Sequence, residues 1–196
     1  MGLSLKKGQS LSLTKQNGES LTYIRLGLGW DSAVPAKRGF FGRAKTAEID
    51  LDASAILFDA NNELLETVFF NQLRSKDGSI QHTGDNLTGD GDGDDETIMV
   101  NLASVSPAVK HIVFVITSYS GQTFDMVQNA FCRVIDDSVP DSPEVANYRL
   151  GESGRYTAMV MAKLSRINGT WSFHAIGAPA NGKTAYDVVG PAAAVL

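Results

Sequence analysis

Tyr156 to Ile176 reads YTAMVMAKLSRINGTWSFHAI, two apolar-rich runs joined by the dipeptide Asn168-Gly169. Asn-Gly readily takes the positive φ angles of a type I′ turn, the two-residue link whose twist matches that of the strands it joins. The stretch therefore predicts an antiparallel hairpin, Tyr156 to Ile167 against Thr170 to Ile176. Outward from it, short runs rich in Val, Ile, Phe, Thr and Tyr recur between turn residues, while helix-period patterns of ten or more residues are scarce. The further strands predicted are Leu21 to Leu28, Ala47 to Phe58, Leu64 to Phe70, Thr97 to Leu102, His111 to Ser118 and Ala130 to Ile135. Asp59-Ala60-Asn61-Asn62 predicts a second hairpin turn. Short helical pieces are expected near Thr123 to Gln128 and after Thr184, neither long enough to cross over between parallel strands. The pattern reads as all-β, an antiparallel β-sandwich with short helical segments.

Of the 196 residues, 43% are hydrophobic and 20% charged, the balance of a globular chain, and one domain over residues 1–196 is expected. A chain of this size buries roughly 70% of its unfolded surface and needs no disulfide staples. The single Cys132 agrees and fits a reducing cytoplasm. Met1 to Leu13 alternates apolar and polar residues, which predicts a first strand and not a signal peptide. No apolar stretch approaches the roughly 20 residues of a membrane helix.

Net charge is −5, from 17 basic and 22 acidic residues, and the imbalance is local. Asp85, Asp90, Asp92, Asp94, Asp95 and Glu96 crowd the segment GDNLTGDGDGDDE (Gly84 to Glu96), and the chain carries no Lys or Arg from Asp77 to Val109. Such a block repels nucleic acid. Close carboxylate pairs repel by about 1 kcal/mol each in water, and a bound cation removes that cost. Calcium takes six to eight oxygen ligands, and the alternation of Asp90, Asp92 and Asp94 with Gly91 and Gly93 lets carboxylates and carbonyls converge. The segment is not an EF-hand loop, because Asp95 falls at the Gly position and Asn101 at the bidentate Glu position. Asp50 and Asp52 in IDLDAS stand two apart, so a strand projects both to one face, where they could share a site with the acidic loop. Magnesium is the second choice, and the bland alternative is a solvated acidic loop beside an exposed strand face. Zinc fits poorly, since Cys132, His82, His111 and His174 show no ligand spacing; His82 reads as a solvated turn histidine.

LGLGWD (Leu26 to Asp31), DLDAS (Asp50 to Ser54), LRSKDGSIQHTGDN (Leu73 to Asn86), TGDGDGDDE (Thr88 to Glu96), NAFCRVID (Asn129 to Asp136) and NGTWSFHAIG (Asn168 to Gly177) follow one another along nearly the whole chain. In this order they resemble the bacterial tellurium-resistance TerD family, most of all its TerZ branch. The resemblance implies a cytoplasmic calcium-binding β-sandwich tied to tellurite resistance and stress responses, and no established enzymatic reaction. Asp50, Asp52 and the acidic loop match the family's calcium positions. With the reading above, the candidate metal residues are Asp50, Asp52, Asp85, Asn86, Asp90, Asp92, Asp94, Asp95 and Glu96, with calcium ions as the ligand. The connection between Asp31 and Asp50 is longer than is common in the TerD branch, and its role does not carry over.

Gly177 to Thr184, GAPANGKT, matches the phosphate-loop pattern, but only twelve residues follow, with Gly190 and Pro191 among them, where a helix should cradle the phosphates. Cys132 in AFCRVI reads as a buried thiol. Gly151-Glu152-Ser153-Gly154 is one residue short of a nucleophile elbow. No catalytic residues are assigned; the alternatives to a binding or sensing module are a magnesium-dependent phosphohydrolase and a phosphate-loop nucleotide binder. In AKRGFFGRAK (Ala36 to Lys45), Phe40 and Phe41 lie between basic residues on a glycine-hinged loop, suited to docking on an anionic membrane surface or another stress-response protein. The competing reading folds both rings back on the sheet.

Overall fold

The computed structural model describes residues 2–15, 17–32, 37–38, 44–45, 50–84, 93–151 and 153–196. In chain order the strands are β1 (Leu3–Leu5), β2 (Ser10–Ser12), β3 (Ile24–Ser32), β4 (Lys37–Arg38), β5 (Ala44–Lys45), β6 (Asp52–Phe58) and β7 (Leu64–Val68). They continue with β8 (Ile80–His82), β9 (Glu96–Val100), β10 (His111–Thr117), β11 (Val127–Asp136), β12 (Glu144–Arg149), β13 (Ala158–Ile167) and β14 (Thr170–Ala180). Short 3₁₀ turns at Phe124–Met126 and Ala185–Val188 and one helical turn, α1 (Val189–Ala193), complete the described elements. No helix among the described residues is long and apolar enough to cross a membrane.

Two six-stranded sheets form a β-sandwich, in the orders β1-β12-β11-β3-β9-β8 and β2-β14-β13-β10-β6-β7. Every pairing within them is antiparallel except β1 on β12. The Asn168-Gly169 turn has φ of 49° and 84°, the two positive angles a type I′ turn demands. At the second turn, Asp59 Oδ1 accepts the amides of Asn61 and Glu63 at 2.7 and 2.9 Å, and Asn62 takes φ of 64°.

The expected first strand is instead two. β1 and β2 pair with different sheets, and Gly8, at φ of 81°, lies in the turn between them. β8 and β12 were not predicted; the first is three residues long inside a turn-rich segment, and the second, EVANYR, buries only Ala146 and Tyr148. β4 and β5 pair Lys37 with Lys45 and Arg38 with Ala44 in a separate ribbon, while Phe40 and Phe41 lie outside the described residues.

Between the sheets, Ala53, Ala55 and Leu57 of β6 join Ile112, Phe114 and Ile116 of β10 and Leu26 and Leu28 of β3. The intervening residues Ile56, Phe58, Val113 and Val115 face the other side of the second sheet, where Val188 and Ala192 of the C-terminal segment cover them. Burial on both faces explains why β6 and β10 read as near-continuous apolar runs. The first sheet has no such cover among the described elements.

Asp77 locks the turn that leads into β8. Its carboxylate accepts Ser79 Oγ at 2.6 Å, Ser75 Oγ at 2.7 Å and the amides of Ser79 and Ser106 at 2.9 Å each. Burial alone would raise its pKa, but the donors from Ser79, Ser106 and Ser75 outweigh it and hold the carboxyl at about 2, down from 3.8. A folded pKa below the unfolded one stabilises the protein fully above the unfolded value, and that contribution is lost as pH falls through the folded one. Urea unfolding should therefore show the gap between parent and Asp77→Asn widest at neutral pH and closing as pH drops from about 4 toward 2.

Candidate metal centre

The pairing of β6 with β7 ends at Ala55 opposite Val68, so beyond it the backbone of Ala53 needs other partners. They come from the other sheet. Glu96, first residue of β9, accepts the Ala53 amide on Oε2 at 2.6 Å. His82, last residue of β8, brings Nε2 to 3.1 Å from the Ala53 carbonyl and 3.3 Å from Glu96 Oε2. The Gly84 amide donates to Nδ1 of the same ring at 3.0 Å, which assigns the ring proton to Nε2. His82 and Glu96 are each 1% exposed. The expectation of a solvated turn histidine is corrected: the polar residues after His82 suggest a turn, but β8 directs the ring inward. Both ends of the acidic loop are thereby tied to the strand that carries Asp52.

β3 prepares the surface on which the loop returns. Leu26 and Leu28 point into the core while Gly27 and Gly29 alternate with them on the outer face. A Cβ on Gly27 would lie 2.1 Å from Cγ of Asp94, and one on Gly29 would lie 2.5 Å from the Phe131 ring and 2.8 Å from the Gly93 carbonyl. The glycines thus form a trench that any side chain would fill. In it the Asp95 amide donates to the Leu28 carbonyl at 2.8 Å, and Asp94 takes Arg133 as a fork, at 2.7 Å from Nε and 3.1 Å from Nη2.

Asp95 Oδ2 accepts the Trp30 amide at 2.7 Å, and Asp31 Oδ2 accepts Asn129 Nδ2 at 2.7 Å. Asp31, Asp95, Gly93, Asn129 and Trp30 line one cavity of about 270 Å³. Asn129 sits at the β11 irregularity between Gln128 and Phe131 with φ of 53°, a bulge that re-aims its side chain. Burial raises the Asp95 pKa, the Trp30 amide opposes this, and the charges of Asp31, Glu96 and Asp94 push it up further.

Asp50 and Asp52 stand elsewhere. Both line a cavity of about 510 Å³ beside Phe69, Phe70, Asn71 and Tyr186, on the face of the second sheet that the C-terminal segment covers in part. Asp85, Asn86, Asp90 and Asp92 lie outside the described residues. Among the described residues, no three His, Cys, Asp or Glu side chains form a group that could hold a metal ion by itself.

A profile of the TerD domain matches residues 1–186. The chain belongs to the TerD family. It is 42% identical over 191 residues to the tellurium resistance protein TerZ of Serratia marcescens, covering 95% of this chain and 94% of that one. It is 38% identical over 198 residues to the stress response protein SCP2 of Bacillus subtilis strain 168, covering 96% and 98%. The crystal structure of a TerD homologue from Streptomyces coelicolor A3(2) shares the fold, with a TM-score of 0.68 at 21% identity over 87% of this chain and 96% of that one. The family resemblance and the all-β sandwich read from the sequence both hold, and this TerD chain belongs among tellurium-resistance and stress-response proteins.

In this TerD domain Asp31, the last residue of LGLGWD, joins the candidate site although it was not among the metal residues expected from the sequence. The signal was present in the two outward glycines followed by an acid on the same strand face. The phosphate-loop match dissolves in the structure: the amides of Lys183 and Thr184 both donate to Asp187 Oδ2 at 2.9 Å, and the Gly182 amide donates to Thr157 Oγ1 at 3.0 Å. Amides that a phosphate would need are spent on a capping box over two short turns. Cys132 is fully buried and its thiol is pushed up to about 12 by burial, as a structural thiol requires. His82→Phe keeps a planar aromatic ring of somewhat larger size but leaves the Ala53 carbonyl and the Gly84 amide without their partner; each unsatisfied buried group costs about 1–3 kcal/mol. Urea unfolding should show a loss in that range, and a loss under about 0.5 kcal/mol, the usual limit for surface changes, would contradict the buried bridge.

Proposed function

We propose that this TerD-family protein binds calcium on the end of its acidic loop and acts as a binding or sensing module rather than as an enzyme. The observation that carries the reading is the setting of Asp95, a half-buried carboxylate with Asp31, Asp94 and Glu96 as charged neighbours. Arg133 neutralises Asp94, and a divalent cation beside Asp95 and Asp31 would cancel the repulsion that remains. The donor chemistry fits: carboxylates, an amide side chain and backbone carbonyls are hard oxygens suited to calcium. The glycine trench fits as well, since it brings the loop backbone at Gly93 against the sheet at the cavity wall.

Asp31 and Asp95 would hold the ion from the described residues, with Asp85, Asn86, Asp90 and Asp92 as further candidates from the same loop. Asp50 and Asp52 offer a second cation position on the other sheet, with the Asn71 side chain beside them. A bound ion supplies charge neutralisation and fixes the loop, which is the change a partner could read. Calcium is favoured over magnesium because the loop is rich in carboxylates, whereas magnesium keeps most of its waters.

Calorimetric titration and melting curves test the reading. Calcium at 100 times its Kd should stabilise the folded chain by about 2.7 kcal/mol, and equal magnesium should do markedly less. Asp31→Asn and Asp95→Asn should each weaken calcium binding while leaving the chelator-treated protein as stable as the parent or more so, because the charge that attracts the ion also repels its neighbours. An unchanged melting temperature in millimolar calcium would sink the proposal.

A further inference from the structure

Arg149, the last residue of β12, lines the same cavity as Asp31 and Asp95, and its guanidinium makes no ion pair or hydrogen bond with any described residue. The surrounding charges are already committed. Arg133 holds Asp94 at 2.7 Å and stands 3.8 Å from Glu144, and Asn147 donates to Glu144 at 2.6 Å. Opposite charges that line one cavity without pairing with each other leave room for a bridging group. The cavity, at about 270 Å³, is several times the roughly 30 Å³ that one water occupies in the liquid. Phe131 and Arg149 also line an adjoining cavity of about 170 Å³, so the space continues along the face of the first sheet.

We propose that Arg149 and the calcium ion at Asp31 and Asp95 together bind an oxyanion of the phosphate class, an inference that rests on the calcium reading above. Calcium takes six to eight oxygens and commonly keeps water among them, and a water position facing Arg149 can pass to an oxygen of the anion. A guanidinium fork on the far oxygens of the same anion adds charge-assisted hydrogen bonds of fixed geometry. With the metal absent, Asp31 and Asp95 repel the anion, so its binding depends on calcium. A free phosphate and a phosphate ester on a lipid headgroup present the same chemistry, and the adjoining cavity gives an ester substituent somewhere to lie.

Calcium titrations of the full chain, with and without submillimolar inorganic phosphate, test this through thermodynamic reciprocity. Phosphate should raise calcium affinity about tenfold, within the usual range of coupling between sites. Arg149→Gln should abolish that gain, while its calcium affinity without phosphate equals or exceeds that of the parent, because the variant removes a positive charge from beside the ion. Equal coupling in both proteins, or none in the parent despite normal calcium binding, overturns the oxyanion site alone. No calcium binding in either buffer overturns the calcium reading and this inference with it. Sedimentation with phosphatidylcholine vesicles, with and without phosphatidic acid, distinguishes the source. Calcium-dependent pelleting lost in Arg149→Gln supports a headgroup, and phosphate coupling without pelleting supports a free anion.

Discussion

A carboxylate buried between two sheets must find partners there, because moving it out of water costs several kcal/mol after relaxation. Glu96 meets that constraint where the β6 edge runs past its neighbour, at the Ala53 amide beyond the end of β7. The contact crosses from β9 in the first sheet to β6 in the second and closes that corner of the sandwich. His82 completes it by covering the Ala53 carbonyl and receiving the Gly84 amide. The described ends of the acidic segment, Gly84 and Glu96, therefore meet in one buried hydrogen-bonded cluster.

The two faces of the sandwich divide the work. The second sheet is covered on its outer side by Val188, Ala192 and their neighbours, and Lys163 reaches the Val195 carbonyl to hold the segment in place. The first sheet has no such cover among the described elements, and its outer face carries the glycine trench, the Asp94–Arg133 pair and the cavity beside Asp31 and Asp95. An acidic segment laid across a strand would ordinarily meet side chains. Here Gly27 and Gly29 let carboxylates approach the sheet closely enough to interact with one another, and that crowding is the repulsion that a bound cation would relieve under the proposed function.

The hairpin at Asn168-Gly169 and the apolar runs of β6, β10 and β13 were legible because turn chemistry and burial write directly into local sequence. β12 was not, because EVANYR sits near a sheet edge and its polar residues obscure the alternation of Ala146 and Tyr148. The concentration of carboxylates was equally plain, whereas their division was not. Asp94 goes to an arginine 39 residues away, and Glu96 goes to the amide of Ala53, 43 residues away; no local pattern encodes such partners. Asp31 escaped because its meaning depends on what lies against the strand it ends near. His82 escaped because three residues of β8 are too few to show a period.

Terbium, which replaces calcium in oxygen sites and luminesces when an excited indole lies close, tests the central claim most directly, since Trp30 lines the proposed cavity. Excitation of the indole in the terbium-loaded protein should give sensitised emission that calcium titrates away and that Trp30→Phe removes, while Trp171→Phe leaves it in place. Emission that survives Trp30→Phe, or terbium that binds with no sensitised emission, would contradict a metal site beside Asp31 and Asp95.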